Sequence, residues 1–462
     1  MYGKMLVGQV CFQQLTSRND TVLRKDCTTM KKFSVILIGA GDRGTTYIRH
    51  MHDMPEKYEV IGVAEPIDAR RNYVKDLFGL KEENCFKDWK DILSIPKFAD
   101  IAIIATMDDM HYEPAMKAIE LGYDLLLEKP AARSAKQCAD LANAAKNKGV
   151  SVLVCHVLRY SPFFKKVKSI LNSGMIGDVI TINHVEAVGH LHQSHSYVRG
   201  NWHSEQETTP MLIAKSCHDI DILQWLLDKR CRKVQSFGDL VHFRPENAPA
   251  GAPVRCADGT CPNKDTCYYN CIKLYYDDKN NMWFRKACTK GIAKQEIPTD
   301  EEVMQALKTT DYGLCVYQAN NDVVDNQVVN MQFDGGVTVN FNMNCFNKGG
   351  RFIRVFGTKG ELTAYMSDKE ISVFLFEDKK VVKVPVAETE ESILGGHGGG
   401  DKGIVVDMYD YLCGTYDGCS VADISISASN HLIGYAAERS RHTDCVIMLD
   451  DYFNEFGMIN ED

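Results

Sequence analysis

Two short stretches hold side chains suited to moving a proton. Lys129 stands in Glu128-Lys129-Pro130, directly after the apolar run DLLL. An amine at the C-terminal end of a buried parallel strand lies where open α/β sheets bind their ligands. The second stretch, Lys215-Ser216-Cys217-His218-Asp219-Ile220-Asp221, opens a helical pattern in which His218 and Asp221, three apart, can share a face. Imidazole titrates nearest neutrality, so His218 could serve as general acid or base. Each residue also has a plainer reading, Lys129 as a surface lysine ending a strand and His218 as a capping or core histidine.

Gly39-Ala40-Gly41-Asp42-Arg43-Gly44 fits G-x-G-x-x-G and lies between a predicted strand, SVILI, and a predicted helix. Glycines there permit a tight turn and close approach of the backbone to a pyrophosphate. The helix N-terminus then offers free N–H groups and a favourable dipole. Glu65, at the end of the second predicted strand, can accept from both ribose hydroxyls and would repel a 2′-phosphate, which favours NAD. Arg70 and Arg71 read best as a solvated helix face, and they leave NADP open. The expected cofactor-binding set is Gly39, Gly41, Asp42, Arg43, Gly44 and Glu65, with Glu128 and Lys129 at the sheet's C-terminal end.

The stretch from Gly189 to His203 concentrates His190, His192, His195, Arg199, Trp202 and His203 after the strand VITINHVE. It reads as a loop suited to a sugar, Trp202 offering a flat apolar face and His192, His195 and Arg199 offering hydrogen bonds. Gly395-Gly396-His397-Gly398-Gly399-Gly400-Asp401 is a second glycine-rich entry to a helix, without the Lys-Ser/Thr ending of a phosphate loop. There His397 would face a ligand and Asp401 would cap the helix. Cys256, Cys261, Cys267 and Cys271 crowd one insertion, but their C-x4-C-x5-C-x3-C spacing lacks the paired C-x2-C knuckles of zinc ribbons. The expectation is reduced thiols and no metal.

These groups need a scaffold, and the chain supplies two patterns for it. From residue 30 to 154 short β-branched runs alternate with helical stretches, which predicts a parallel sheet with crossovers. The helix after Ser134 has its cap, an apolar face (Ala135, Cys138, Leu141, Ala142, Ala145) and a terminating Gly149. From 155 to 462 the strands alternate apolar and polar residues, with Asp334-Gly335 as a hairpin signal, so this part is read as a mainly antiparallel sheet with interspersed helices. Residues 1–29 show no sustained period and read as a leader. The predicted class is α/β, a Rossmann domain followed by an α+β domain with a largely antiparallel open sheet.

Composition narrows the partners. The chain has 462 residues, 45% hydrophobic and 25% charged, with a formal net charge of −9, which does not favour a nucleic-acid partner. No stretch reaches 18 consecutive apolar residues, so no membrane partner is expected. Seventeen cysteines in so long a chain without a secretory signal read as cytoplasmic thiols.

GAGDRG, ATMDDMHYEPAMKAIELGYDLLLEKP and AKSCHDID together resemble the Gfo/Idh/MocA family of NAD(P)-dependent oxidoreductases, the glucose-fructose oxidoreductase and inositol dehydrogenase relatives. The resemblance runs over residues 31 to 440. It implies a sugar, polyol or related substrate, a second domain whose open sheet serves homo-oligomerisation, and Lys129 as the active-site lysine, aimed by a cis bond before Pro130. Relatives carry an Asp four residues before the histidine, where this chain has Ala214, so Lys215 is expected to share the work of His218. The GHGGGD string resembles a loop of the NAD-dependent glycoside hydrolases in the same superfamily. A glycosidase working by transient oxidation, elimination and re-reduction therefore stands as the alternative to a dehydrogenase. A non-catalytic NAD(H) or sugar sensor is the third reading, and it has no use for Lys129 or His218.

Overall fold

The computed structural model describes residues 31–293, 297–387 and 399–460. Six parallel strands form the first sheet: β1 (Phe33–Ile38), β2 (Tyr58–Ala64), β3 (Cys85–Phe86), β4 (Ile101–Ile104), β5 (Asp124–Leu127) and β6 (Val152–Val154), in the order β3-β2-β1-β4-β5-β6. Val35, Ile36, Leu37 and Ile38 are all fully buried, so helices cover both faces, as such apolar strands require. The order in which the chain adds strands to the sheet reverses between the parallel neighbours β1 and β4, and the crevice at their C-terminal ends is the topological switch point. Local signals hold: the Ser134 side chain accepts the Gln137 N–H, and Gly149 ends that helix in the left-handed region at φ 71°. The two-residue β3 gave no periodic signal in the sequence.

The second sheet has nine strands: β7 (Val179–Ala187), β8 (Cys231–Asp239), β9 (Asn326–Phe333), β10 (Thr338–Asn344), β11 (Gly350–Gly357), β12 (Gly360–Tyr365), β13 (Glu370–Leu375), β14 (Lys380–Pro385) and β15 (Ile447–Met448). Their order is β14-β13-β12-β11-β7-β10-β9-β8-β15, antiparallel throughout except for the β7–β10 pair. Between β8 and β9 an insertion of short helices builds two small cores of its own. One is centred on Tyr275 and Phe284, the other on Phe243 and Tyr269.

The chain then returns to its first domain. The helix Gly400–Cys413 packs Ile404, Val405, Met408 and Tyr409 into the core around Phe33 and Tyr58, and the Tyr58 hydroxyl donates to the Val405 carbonyl at 2.8 Å. The helix Ile424–Thr443 lies against both the helix Ala135–Lys148 and β8. A division at residue 155 thus follows the sequence, whereas in space the last helices lock the two parts together.

Candidate functional site

The three fingerprint glycines are required for three different reasons. Gly39 has φ 90°, and a Cβ there would meet the Ala105 carbonyl oxygen at 2.6 Å. A Cβ on Gly44 would meet the Gly39 carbonyl at 2.1 Å, so this glycine lets the helix Asp42–His52 close onto its strand. A Cβ on Gly41 would meet nothing within 4 Å. That open space, at the N-terminus of the helix, is the cradle a pyrophosphate needs, and these residues fit a dinucleotide.

Glu65 is buried, and its carboxylate ties the crevice together, Oε2 accepting the Ala40 N–H at 2.8 Å and Oε1 the Ile67 N–H at 3.0 Å. Each oxygen keeps a second lone pair for a ribose hydroxyl. Arg71 corrects its sequence reading: it is buried, donating to the Glu65 carbonyl at 2.6 Å and pairing with Asp68. Its stem folds back into the turn after β2 because an unsatisfied carbonyl waits there. Asp42 is exposed in the first helical turn.

Arg43 reaches across the molecule. Its Nε donates to Glu128 Oε1 at 2.9 Å, and both terminal nitrogens hold the carboxylate of Asp401, buried at the start of the helix Gly400–Cys413. Asp401 therefore serves as a clamp on the first domain. Glu128 is buried too, accepting the Tyr47 hydroxyl at 2.6 Å and the Lys129 N–H at 2.9 Å. Burial pushes its carboxyl up, but the charges of Arg43 and Lys129 with these hydrogen bonds outweigh that and hold it below the usual range.

The Lys129-Pro130 bond is cis. The backbone beyond it is held from both sides, Pro130 O facing His111 Nδ1 at 2.7 Å and the Ala131 N–H donating to His431 Nε2 at 3.1 Å. From this mount Lys129 Nζ crosses to the second domain and donates to the Ala214 carbonyl at 3.1 Å. The next residue, Lys215, pairs with buried Glu186 at 3.4 Å. Burial lowers the Lys215 pKa; Glu186 opposes this, and the nearby Arg351 charge adds to the lowering.

His218 opens the helix Cys217–Leu227, buried, with its ring 5.9 Å from that of His156. Asp221, expected to share its face, is instead occupied with structure: it holds Arg159 through two hydrogen bonds of 2.8 and 2.7 Å and accepts from Asn430 at 2.6 Å. Asp219 likewise holds Arg351 Nε at 2.8 Å and His184 at 2.7 Å. These buried carboxylates are fully paired, as burial of charge demands.

The stretch expected as a sugar-binding loop is largely helical. His190–His192 form one turn, and Gln193–Val198 continue it as a wide π turn whose side chains are buried. His/Gln/Ser spacing hid this from a search for apolar periodicity. Two of its members reach the site. His192 lies with its ring 5.3 Å from Trp283, and burial, with the nearby charges of Lys215, His195, Arg351 and Lys129, pushes its pKa well below the usual value. Trp202 donates from Nε1 to Asp108 Oδ2 at 2.9 Å, against the loop after β4.

The others do not reach it. His195 is stacked between Phe284 and Tyr312, centroids at 4.4 and 5.1 Å, inside the insertion's core. Arg199 turns away, donating to the carbonyls of Leu314 and Tyr269. A π turn spreads consecutive side chains over opposite sides, so these two serve packing. His397 lies outside the described residues.

Sequence reading overlooked Glu186, Arg351 and Asp108. Glu186 and Arg351 stand directly opposite each other on β7 and β11, a cross-strand charge pair at 2.8 Å visible only once the register is known.

Comparison with known proteins agrees with this two-domain fold. Residues 33–156 match the oxidoreductase family with an NAD-binding Rossmann fold, and residues 168–402 match the C-terminal alpha/beta domain of the same family. The chain is 24% identical to YteT of Bacillus subtilis (strain 168) over 350 residues, 70% of this chain and 78% of YteT. It is 23% identical over 218 residues, 47% of this chain, to the inositol 2-dehydrogenase/D-chiro-inositol 3-dehydrogenase of Lactiplantibacillus plantarum (strain ATCC BAA-793 / NCIMB 8826 / WCFS1), and spans 59% of that enzyme's length. A levoglucosan dehydrogenase solved with NADH and L-sorbose superposes with a TM-score of 0.65 at 17% identity, over 91% of this chain and 99% of its own, a likeness of fold. The chain belongs to the Gfo/Idh/MocA family and is an NAD-binding oxidoreductase.

Proposed function

We propose that the protein acts on a hydroxyl-bearing carbon of a sugar or polyol, with Lys129 and His218 handling the hydroxyl proton. The observation that carries this reading is the crossing of Lys129 Nζ from the end of β5 to the Ala214 carbonyl, which puts its amine between the cofactor crevice and the second domain. Bound NAD supplies the hydride acceptor. Gly39, Gly41, Gly44 and Glu65 hold it. Lys129 sits at the hydroxyl and accepts its proton, and Lys215, whose pKa is lowered, backs it as a second amine able to shed charge. His192 and Trp202 line the substrate side. The names of the inositol and levoglucosan dehydrogenases support a polyol or anhydro-sugar substrate.

A panel of polyols, sugars and nitrophenyl glycosides with NAD, read for both NADH absorbance and free-sugar release, tests this reading. The expected result is NADH rising in step with product. Lys129→Met should lower turnover at least about a hundredfold while leaving NAD affinity nearly unchanged. Sustained glycoside cleavage with no net NADH would replace the dehydrogenase by a redox glycosidase, and full turnover in Lys129→Met would remove the lysine from the chemistry.

A further inference from the structure

Of the four tryptophans in the chain only Trp283 is exposed, with 52% of its surface in water. It stands on the helix Met282–Cys288, in the insertion between β8 and β9. That helix is anchored without it. Phe284 and Cys288 fill the small core around Tyr275, and Asn281 accepts the Phe284 N–H at 3.3 Å. Arg285 donates to the Tyr275 and Tyr276 carbonyls at 3.1 and 3.2 Å and to Asp300 at 2.7 Å. The indole is nonetheless held in place, with the rings of His195, Phe284 and His192 at 4.9, 5.1 and 5.3 Å. A large aromatic surface that is fixed yet left to solvent suits a ligand, because covering it costs little side-chain entropy.

His192 connects this surface to the reaction site. The charges of Lys129 and Lys215 act on its imidazole, and Trp283 packs against it from the insertion. Its ring contacts are aromatic, Tyr197 at 5.7 Å and Trp283 at 5.3 Å, and among the described residues neither ring nitrogen is hydrogen-bonded. Burial and the nearby charges keep the imidazole neutral, so it offers one donor and one acceptor. A hydroxyl group, which both donates and accepts, matches that pair. The rings continue from Tyr197 to Trp202 at 6.0 Å, and Trp202 is bound to Asp108 in the loop after β4. An aromatic row thus runs from the first domain to the insertion, with Trp283 at its solvent end.

We propose that Trp283 and His192 form a subsite for a second sugar ring, so that the preferred substrate is a disaccharide or longer glycoside whose reacting ring lies at Lys129. A pyranose has an apolar C–H face and a rim of hydroxyls. The indole covers the face, and the His192 imidazole bonds the rim. This subsite rests on the sugar reading given above, from which it takes the reacting ring, and it adds a preference for length. A free polyol reaches Lys129 but leaves Trp283 bare, so it binds more weakly than a substrate that covers both.

Titration calorimetry of the NADH-loaded full chain with cellobiose, maltose and lactose, each beside glucose and galactose, tests the subsite. At least one disaccharide should bind about tenfold more tightly than either single sugar. Trp283→Ala should remove that advantage while the affinities for NADH and single sugars stay unchanged, and Trp283→Phe should keep most of it. Disaccharides that bind the parent no more tightly than glucose and galactose overturn the subsite without any variant. An advantage that survives in Trp283→Ala, or one confined to a nitrophenyl glucoside, overturns it as well. The reaction itself is read separately. NADH formed from free polyols without a disaccharide advantage keeps the reaction and removes the subsite, whereas a disaccharide advantage lost in Trp283→Ala, with no NADH from any sugar, does the reverse.

Discussion

His431 makes the site acid-sensitive by an amount that can be worked out. Its Nδ1 faces the Ser427 carbonyl at 2.7 Å, and its Nε2 faces the Ala131 N–H at 3.1 Å. A carbonyl only accepts and an amide N–H only donates, so the ring must be the neutral Nδ1–H tautomer. It is completely buried, with the His156 ring 5.7 Å away. Burial, and then the neighbouring His156, lower its pKa to about 3. The unfolded chain has a histidine near 6.5, so below that pH the unfolded state binds a proton that the folded state refuses. The stabilising effect of neutral His431 is therefore complete above pH 6.5 and declines as pH falls toward 3. At ~1.36 kcal/mol per pH unit, acidification from pH 7 to pH 5 costs about 2 kcal/mol through this residue alone.

The perturbation is His431→Gln, which cannot titrate. Urea unfolding of parent and variant at pH 7 and pH 5 gives two pH losses, and their difference cancels every other titrating group. The variant should lose about 2 kcal/mol less than the parent on acidification, although it is less stable at pH 7. Equal losses would mean that the folded ring takes up its proton over the same pH range as the unfolded one, and the tautomer argument would fall.

Other outcomes follow from the same geometry. Gly41→Ala places its methyl in open space and should unfold like the parent, yet bind NAD about tenfold more weakly by calorimetry; Gly44→Ala, driven into the Gly39 carbonyl, should lose roughly 1–3 kcal/mol of stability first. The protein should prefer NAD to NADP, and Glu65→Ala should reduce that preference; equal affinities in the parent would show that Arg71 governs the ribose end. Asp401→Asn leaves Arg43, whose side chain is 32% exposed, with Glu128 as its remaining carboxylate, and should cost about 1–3 kcal/mol in denaturant unfolding. An unchanged midpoint would show the clamp to be incidental.

What the sequence made legible was local or repeated. Ser134 and Gly149 bracket a helix because capping acts within a turn, and Asp334-Gly335 marks the β9–β10 hairpin for the same reason. The crossover pattern of residues 33–154 repeats often enough to specify the parallel sheet. The fingerprint and the Lys129 tripeptide were readable as chemistry because each is contiguous. Contacts between distant segments were not: Arg43 meets Asp401, and Glu186 meets Arg351. Nothing in a 2.0 or 3.6 residue period encodes such meetings. His195 and Arg199 were misplaced because polar residues in a compact π turn look like a solvated loop.

The clasp between Arg43 and Asp401 also sets a schedule for biosynthesis. The two residues are 358 positions apart, and at 5–20 residues per second a ribosome takes about 20–70 s to reach the second after the first. From the completion of β6 until the end of that interval, the nascent first domain has its six strands but not Ile404, Val405 or Tyr409, which cover Phe33 and Tyr58 in the finished protein. The growing chain carries an uncovered aromatic surface for most of its translation, a ready target for chaperone capture. A fragment ending near residue 155 would keep the dinucleotide fingerprint and the same bare surface.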